Sequence, residues 1–211
     1  MKIRSSAMMT LIASLVVAAL GIVLAATGAG LKFYSQSVQA TELARMAWSM
    51  LAVVILLFVF GFVRYDLAGA LSLGVAALHD QLLTLALSAI VSLALPLSYS
   101  MPALVVGGAV FTCCFSIPVI REARLVDRSV SRREHTRDEV AEMAVKKAMP
   151  VLFVLAVVAL LIFLAYVVSG SSLMLGFMLP MLAGIAAAFL SATRIAPYVW
   201  AAVASRSKPR K

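Results

Sequence analysis

Residues 67–95 read LAGALSLGVAALHDQLLTLALSAIVSLAL, in which His79 and Asp80 are the only ionisable side chains. An α-helix rises about 1.5 Å per residue, so roughly 20 apolar residues cross the hydrocarbon core of a bilayer, which is about 30 Å thick. The stretch is longer than this and carries little charge. It therefore predicts a membrane-spanning helix.

The whole chain has the same apolar character. It has 211 residues, of which 64% are hydrophobic and 13% are charged, whereas about a quarter of the residues of a soluble domain are charged. We predict an all-α membrane protein in which a single domain, residues 1–211, forms a bundle of six transmembrane helices. The predicted helices cover residues 8–27, 46–63, 67–95, 101–120, 149–168 and 173–193. A short interfacial segment at 195–203, with Tyr198 and Trp200 at headgroup level, follows the sixth helix.

The basic residues predict how the helices are oriented in the membrane. If the N-terminus is cytoplasmic, 16 of the 18 Lys and Arg residues lie on the cytoplasmic side, and only Lys32 and Arg45 lie outside. Cytoplasmic loops carry an excess of Lys and Arg, so we expect both termini in the cytoplasm and residues 28–45 in an outer loop. The first apolar run is longer than that of a signal peptide, about 7–15 residues, and we expect it to be retained. The net charge of +9 does not indicate nucleic-acid binding, because no basic surface with interleaved aromatic residues accompanies it.

Residues 121–147 form the one strongly charged segment between two predicted helices. Within it, Thr136 and Glu139 have the spacing of a capping box, which marks the start of a helix. We predict an amphipathic helix over 136–147 that lies on the membrane surface and leads into the fifth helix, after a solvated linker at 121–135. The basic residues expected at the cytoplasmic interface are Arg121, Arg124, Lys146, Lys147 and Arg194.

Three of the predicted helices carry small residues at four-residue spacing. Lipid gives helices no hydrophobic reason to associate, so such faces usually mark close contacts between helices. We expect the third, fourth and sixth helices to pack together, with the others more peripheral, and Pro180 to kink the sixth helix because proline removes a backbone hydrogen bond. The packing residues are Ser72, Ala76 and Thr84 in the third helix, Gly108 and Thr112 in the fourth, and Gly176, Pro180, Gly184 and Ala188 in the sixth.

Asp80 is the only acidic residue deep inside a predicted helix. It lies roughly 20 Å along the axis from the start of the third helix, near mid-membrane. A charge there costs about 2.5–3.5 kcal/mol on insertion scales, and such residues are functional by default. Two interpretations stay open: Asp80 binds a proton, or it is a neutral group that hydrogen-bonds polar residues of neighbouring helices. His79 points about 100° away around the helix, so we expect it to face lipid or the second helix rather than to form a relay with Asp80.

No pattern in the sequence indicates catalysis. The two cysteines, Cys113 and Cys114, are neighbours in an apolar run and fit neither a disulfide framework nor a metal site. We expect them to be packing residues. The sequence has no nucleophile–base pattern and no phosphate-binding loop. We therefore predict no enzymatic activity, no metal and no cofactor.

Two stretches carry motifs of a known transporter family. Residues 76–84 read AALHDQLLT, and residues 170–197 contain spaced small residues that include Gly176 and Gly184. Over about residues 46–200 the chain resembles the bacterial protein-export subunit SecF, of the resistance–nodulation–division superfamily. The first stretch looks like that family's Ala-Leu-x-His-Asp helix, and the second is similar to its last helix.

The chain departs from the SecF pattern at three places. That family has a folded extracytoplasmic domain between its first two helices, where this chain has residues 28–45. The acid implicated in proton coupling would follow Ser116-Ile117, where this chain has Pro118-Val119. The basic residue of helix five falls at Val151, and Lys147 is the nearest substitute. The resemblance therefore implies the helix scaffold and the partners rather than the proton-driven mechanism.

By this resemblance, the chain would be a reduced SecF-like subunit of the bacterial plasma membrane. It would contact membrane lipid, a SecD-like subunit and the SecY channel, and would assist protein export or membrane-protein insertion. Two alternatives stay open. One is a small stand-alone transporter, as a homo-oligomer, which would transport its substrate alone in liposomes. The other is a non-transporting adaptor, which would lose its function on deletion of residues 121–147 alone.

Overall fold

The computed structural model describes residues 2–27, 32–33, 39–95, 98–129, 135–168 and 172–206. Within these ranges the chain forms seven helices and one pair of short parallel strands, Lys32–Phe33 (β1) and Ser98–Tyr99 (β2). The helices are α1 (Lys2–Ala26), α2 (Gln39–Arg64), α3 (Leu67–Ala94), α4 (Met101–Ser129), α5 (Arg137–Val168), α6 (Ser172–Arg194) and α7 (Ala196–Ala204). Half of the predicted outer loop, residues 28–31 and 34–38, lies outside the described residues.

Among the described residues, six helical segments are long and apolar enough to cross a membrane, and α6 with α7 contributes one of them. The protein is therefore a multi-pass membrane protein, and the prediction of an all-α bundle of six transmembrane helices is confirmed. The helix starts differ from the predicted ones, because the first helix begins at Lys2 and the second at Gln39. Apolar composition marks the part of a helix that lies in lipid, and these two helices extend beyond it.

The third helix lies at the centre of the bundle. It contacts α1, α2, α4, α6 and α7, and it is the most buried of the candidate spans, whereas α5 is the least buried. The faces of small residues on α3, α4 and α6 meet each other in this arrangement. Helices α1 and α2 pack mainly on α3, and α5 packs against α4, α6 and α7.

Glycines permit the closest of these helix contacts. A Cβ atom placed on Gly21 of α1 would overlap Ala86 of α3, and one on Gly61 of α2 would lie 2.7 Å from the Cα atom of Ala70. Such distances leave no space for a side chain, so the helix backbones approach each other directly. The first two helices are thus attached to α3 by the same small-residue packing as the central ones.

The charged segment after the fourth helix differs from its prediction. Helix α4 continues to Ser129, so residues 121–129 are helical and not part of a solvated linker. Their buried face, Ala123 and Val126, packs against α5 and α7. Because this apolar face is buried, the helix continues beyond the apolar span, and the solvated-linker prediction for 121–129 is wrong.

The predicted helix over 136–147 forms, and its capping box is present. The backbone nitrogen of Thr136 donates to Glu139, and that of Glu139 donates to the Thr136 hydroxyl, 3.3 Å away. This helix is continuous with α5, however, and its apolar residues Val140 and Ala144 are buried in protein. The prediction that it lies on the membrane surface is therefore wrong, since its apolar stripe packs on α4 and α7 instead of on lipid.

Trp200, which the sequence places at headgroup level, is buried in protein: it is 2% exposed and packs in the same cluster as Val140 and Ala144. The guanidinium of Arg137 lies 5.8 Å from the centre of its ring, and Arg137 forms an ion pair with Asp127 of α4. The ends of α4 and α5 and the short helix α7 thus form one packed layer at the charged end of the bundle.

Candidate functional site

Helix α3 holds Asp80 at its midpoint, where the side chain is completely buried. The start of this helix is fixed by Asp66, whose carboxylate accepts a hydrogen bond from the backbone nitrogen of Gly69 at 2.8 Å. From that cap, Asp80 lies about 20 Å along the axis. A buried carboxyl group at this depth requires polar partners, because an unpaired one is strongly disfavoured in an apolar medium.

Two hydroxyl groups from different helices supply those partners. Thr112 Oγ1 of α4 lies 2.6 Å from Asp80 Oδ2, and Ser191 Oγ of α6 lies 2.9 Å from the same oxygen. All three residues are fully buried. One carboxyl oxygen therefore joins the three central helices of the bundle.

The hydroxyl groups have a choice of acceptor. Thr112 Oγ1 also lies 2.7 Å from the carbonyl oxygen of Gly108, and Ser191 Oγ lies 3.2 Å from that of Ala188. Each hydroxyl has one proton to donate. If it donates to its carbonyl, Asp80 must supply the proton for the contact with that hydroxyl; if it donates to Asp80, the carboxyl can be ionised. Rotation of two hydroxyl groups thus adapts the site to either protonation state.

His79 lies next to this carboxyl and not on the lipid side. Its Nδ1 atom is 3.0 Å from Asp80 Oδ1, and its side chain is 7% exposed. The prediction that His79 points away from Asp80 is therefore wrong. Neighbouring residues on a helix diverge at Cβ, but an imidazole ring is long enough to turn back to a carboxyl group, and burial favours that contact.

The other nitrogen of His79 has no such contact. The Nε2 atom is buried and has no hydrogen-bond partner among the residues that the structure describes. In a neutral ring one nitrogen is a donor and the other is an acceptor, and Nδ1 can be either. A proton between His79 Nδ1 and Asp80 Oδ1 can therefore lie on either side chain.

Gln81 is a further polar contact that the sequence analysis missed. Its side chain is 1% exposed, donates to the carbonyl oxygen of Val105 at 3.0 Å, and packs against Gly108. Nearer the start of α3, Ser72 donates to the carbonyl oxygen of Ala196. A glutamine in an apolar span was the available signal, since such residues commonly hydrogen-bond across helices.

The predicted packing residues are all buried or face neighbouring helices. Gly108 lies against Gln81, and Gly184 lies against Gly107 of α4, whose importance the four-residue spacing did not indicate. Pro180 lies inside α6, which continues through it, and its carbonyl oxygen is close to Gly107. The remaining members of the set are buried residues of the three central helices: Ser72, Ala76, Thr84, Thr112, Gly176 and Ala188.

The predicted cytoplasmic-interface residues form two separate groups. Arg124 lies 3.6 Å from Asp66 and 5.6 Å from the centre of the Tyr65 ring, and Arg121 lines the same cleft. The other group, Lys146 and Arg194, lines a groove between α5 and α6. The exposed Lys147 lines neither of them.

None of the positions at which the family's coupling residues would fall carries a charge. Pro118 lies within α4, Val119 is fully buried, and Val151 is 52% exposed on the outside of α5. Within the described ranges, no group of three or more His, Cys, Asp or Glu side chains is arranged to hold a metal ion. His79 is the only titratable side chain that the described residues bring to Asp80.

The family described as Protein export membrane protein SecD/SecF, C-terminal, matches residues 25–206 of the chain. No curated protein and no solved structure matches it. The family match covers most of the chain, including every residue of the Asp80 site. This chain therefore belongs to the SecD/SecF family of protein-export membrane proteins.

Proposed function

We propose that this chain is a SecF-like subunit of the bacterial plasma membrane that works with a SecD-like subunit and the SecY channel. The observation that carries the proposal is the family match over residues 25–206. The buried polar junction of α3, α4 and α6 supports it, because a bundle joined through one carboxyl group provides a scaffold on which a partner half can pack. The activity is assistance of protein export or membrane-protein insertion, without catalysis by this chain.

Within this function, Asp80 acts as a neutral hydrogen-bonding group that holds the three central helices together. Two hydroxyl groups at 2.6 and 2.9 Å from its Oδ2 atom support this role. Any proton coupling of the complex would then reside in the partner subunit. By the resemblance, the family's coupling acid falls where this chain has Pro118-Val119, within α4.

One observation favours a second role for the same residue. The contact of 3.0 Å between His79 Nδ1 and Asp80 Oδ1 joins two titratable groups inside the bundle. Such a pair can bind and release a proton, which would make Asp80 a coupling site in this chain. Substitution of Asp80 by asparagine distinguishes the two roles, as set out in the Discussion.

Both termini are cytoplasmic in this proposal, and the charged layer formed by α4, α5 and α7 faces the cytoplasm. The excess of Lys and Arg at that end of the bundle supports this orientation. The outer loop at 28–45 then faces the periplasm.

Affinity purification tests the proposed partnership. The tagged chain, solubilised from its native membrane in mild detergent, should co-purify with a SecD-like protein, and deletion of its gene should slow secretion. Recovery of a homo-oligomer with normal secretion in the deletion strain would favour the stand-alone transporter. Loss of activity on removal of residues 121–147 from an otherwise assembled complex would favour the adaptor.

A further inference from the structure

A groove with a volume of about 910 Å³ runs along the outside of the bundle between α5 and α6. Its walls are mainly apolar, and Phe153 of α5 and Phe189 of α6 are among the lining side chains. Phe153 is 64% exposed, so the groove opens to the side of the bundle, where lipid surrounds a membrane protein. It is separate from the Asp80 site, because none of the four side chains of that site lines it.

The groove has one charged end and one apolar end. Lys146, Arg194 and Glu142 line the charged end, and Ala156 and Ile185 line the other. The ten residue steps from Lys146 to Ala156 cover about 15 Å of helix, which is about half of the roughly 30 Å hydrocarbon core. The groove therefore has the length of one lipid leaflet, with its charges at headgroup level.

The charges at that end favour an anion. Lys146 is held by Glu142, with a distance of 3.0 Å between Nζ and Oε1. Arg194 is exposed and makes no ion pair within the described part of the chain. A guanidinium group offers several donors in a planar arrangement that matches phosphate oxygens. Basic pockets between transmembrane helices are known binding sites of anionic lipid headgroups.

We propose that this groove binds one anionic phospholipid, with its phosphate at Arg194 and Lys146 and its acyl chains against Phe153 and Phe189. The lipid belongs to the leaflet on the Arg194 side. A groove of about 910 Å³ that opens to the surrounding lipid holds the part of such a molecule that faces the protein. The bound lipid would cover the outer face of α5, the least buried of the spans.

Native mass spectrometry of the full chain in detergent tests the proposal, with phosphatidylglycerol and phosphatidylcholine of the same acyl chains as probes. The wild type should bind one phosphatidylglycerol more tightly than phosphatidylcholine. R194Q should weaken phosphatidylglycerol binding about five-fold, the usual contribution of one basic residue near a membrane surface. K147Q removes the same charge beside the groove but not within it, and should bind like the wild type.

Two further pairs of variants separate a specific site from general attraction. E142Q removes the acid that competes for Lys146 and should tighten phosphatidylglycerol binding, whereas E122Q on α4 should not. A186F fills the groove from α6 and should weaken the binding of both lipids, whereas A19F adds the same side chain to the exposed face of α1 and should not. Thermal unfolding of each variant shows whether it is folded.

Four results would overturn the proposal. Equal weakening by K147Q and R194Q would mean that charge attracts lipid without a site. Unchanged lipid binding in A186F would mean that the groove is not occupied. A dimer of the chain that A186F dissociates would mean that a second copy covers the groove. Inorganic phosphate that binds to the wild type and to A186F, but not to R194Q, would mean an anion site without a lipid.

Discussion

Gly184 of α6 lies so close to Gly107 of α4 that a Cβ atom on Gly184 would overlap the Gly107 carbonyl group. On the other side of the same contact, a Cβ atom on Gly107 would lie 2.8 Å from the carbonyl oxygen of Pro180. The two helices are thus in direct backbone contact within their apolar spans. Because neighbouring backbone atoms cannot move aside as a flexible side chain can, this contact is sensitive to any added atom.

Substitution of Gly184 by leucine should therefore destabilise the bundle. Overpacking usually costs about 1–3 kcal/mol, and the absence of a flexible neighbour places this variant at the upper end. Ala186→Leu is the matched control, because Ala186 is exposed two residues further along the same helix. Thermal unfolding in detergent should show a lowered midpoint for Gly184→Leu alone. Equal midpoints in the two variants would contradict the observed contact.

A second prediction concerns the layer at the charged end of the bundle. Arg137 of α5 pairs with Asp127 of α4 and lies over Trp200, and the two charged side chains are 21% and 18% exposed. An exposed ion pair contributes about 0–1 kcal/mol to stability, whereas the loss of one partner of a buried pair costs about 3–5 kcal/mol. The exposure of this pair lies between the two cases, so Arg137→Gln should lower the free energy of unfolding by roughly 1–3 kcal/mol.

The matched control is Arg128→Gln, since Arg128 is an exposed arginine near the end of α4. Chemical denaturation in mild detergent measures both variants and Asp127→Asn. The effects of Asp127→Asn and Arg137→Gln should not add in the double variant, because both remove the same pair. Full additivity would show that the two side chains act independently.

The third prediction tests the orientation in the membrane. Single cysteines at Thr27 and Ser129, in a background that lacks Cys113 and Cys114, mark opposite ends of the described helices, and both positions are exposed. With cytoplasmic termini, an impermeant maleimide added to intact cells should label the cysteine at Thr27 and not the one at Ser129. Labelling after cell disruption controls for reactivity. The reverse pattern would require the opposite orientation.

The sequence was sufficient to predict the membrane spans, because the length and apolarity of a segment determine whether it can cross a bilayer. It was misleading for residues 121–129, where charged side chains suggested a linker. The apolar residues Ala123 and Val126 stand three apart within that segment, and with Ile120 they form the helical spacing that the structure buries against α5 and α7. This spacing is visible in the sequence, but the surface that buries it exists only in the folded chain.

The candidate site was only partly predictable from the sequence. An isolated aspartate in an apolar span indicates a buried polar site, and the small polar residues at four-residue spacing include its partner Thr112. The contact of His79 with Asp80 depends on a side-chain rotamer, and the importance of Gly107 depends on the crossing point of two helices. Neither follows from spacing along one helix.

The last prediction concerns Asp80 and distinguishes its two proposed roles. Asparagine keeps the shape of the side chain: its carbonyl oxygen can accept from His79 Nδ1, and its amide group can donate to the hydroxyls of Thr112 and Ser191. If Asp80 is a neutral hydrogen-bonding group, Asp80→Asn should be close to the wild type in assembly and export. Asp80→Leu keeps the volume but none of these contacts, and should weaken the bundle.

Interhelical hydrogen bonds in membranes contribute about 0.6–2 kcal/mol each, so Asp80→Leu should lose roughly 1–3 kcal/mol of stability. Thr112→Val is the matched control, since it removes one hydroxyl group while Ser191 still contacts Asp80, and should lose less. Assembly with the partner and export are then measured for all three variants over a range of imposed proton gradients. An Asp80→Asn variant that assembles normally but no longer responds to the gradient would show that the carboxyl group titrates. In that case the His79–Asp80 pair, and not a partner subunit, would carry the proton. Asparagine can make the same contacts as Asp80, but it cannot bind and release a proton.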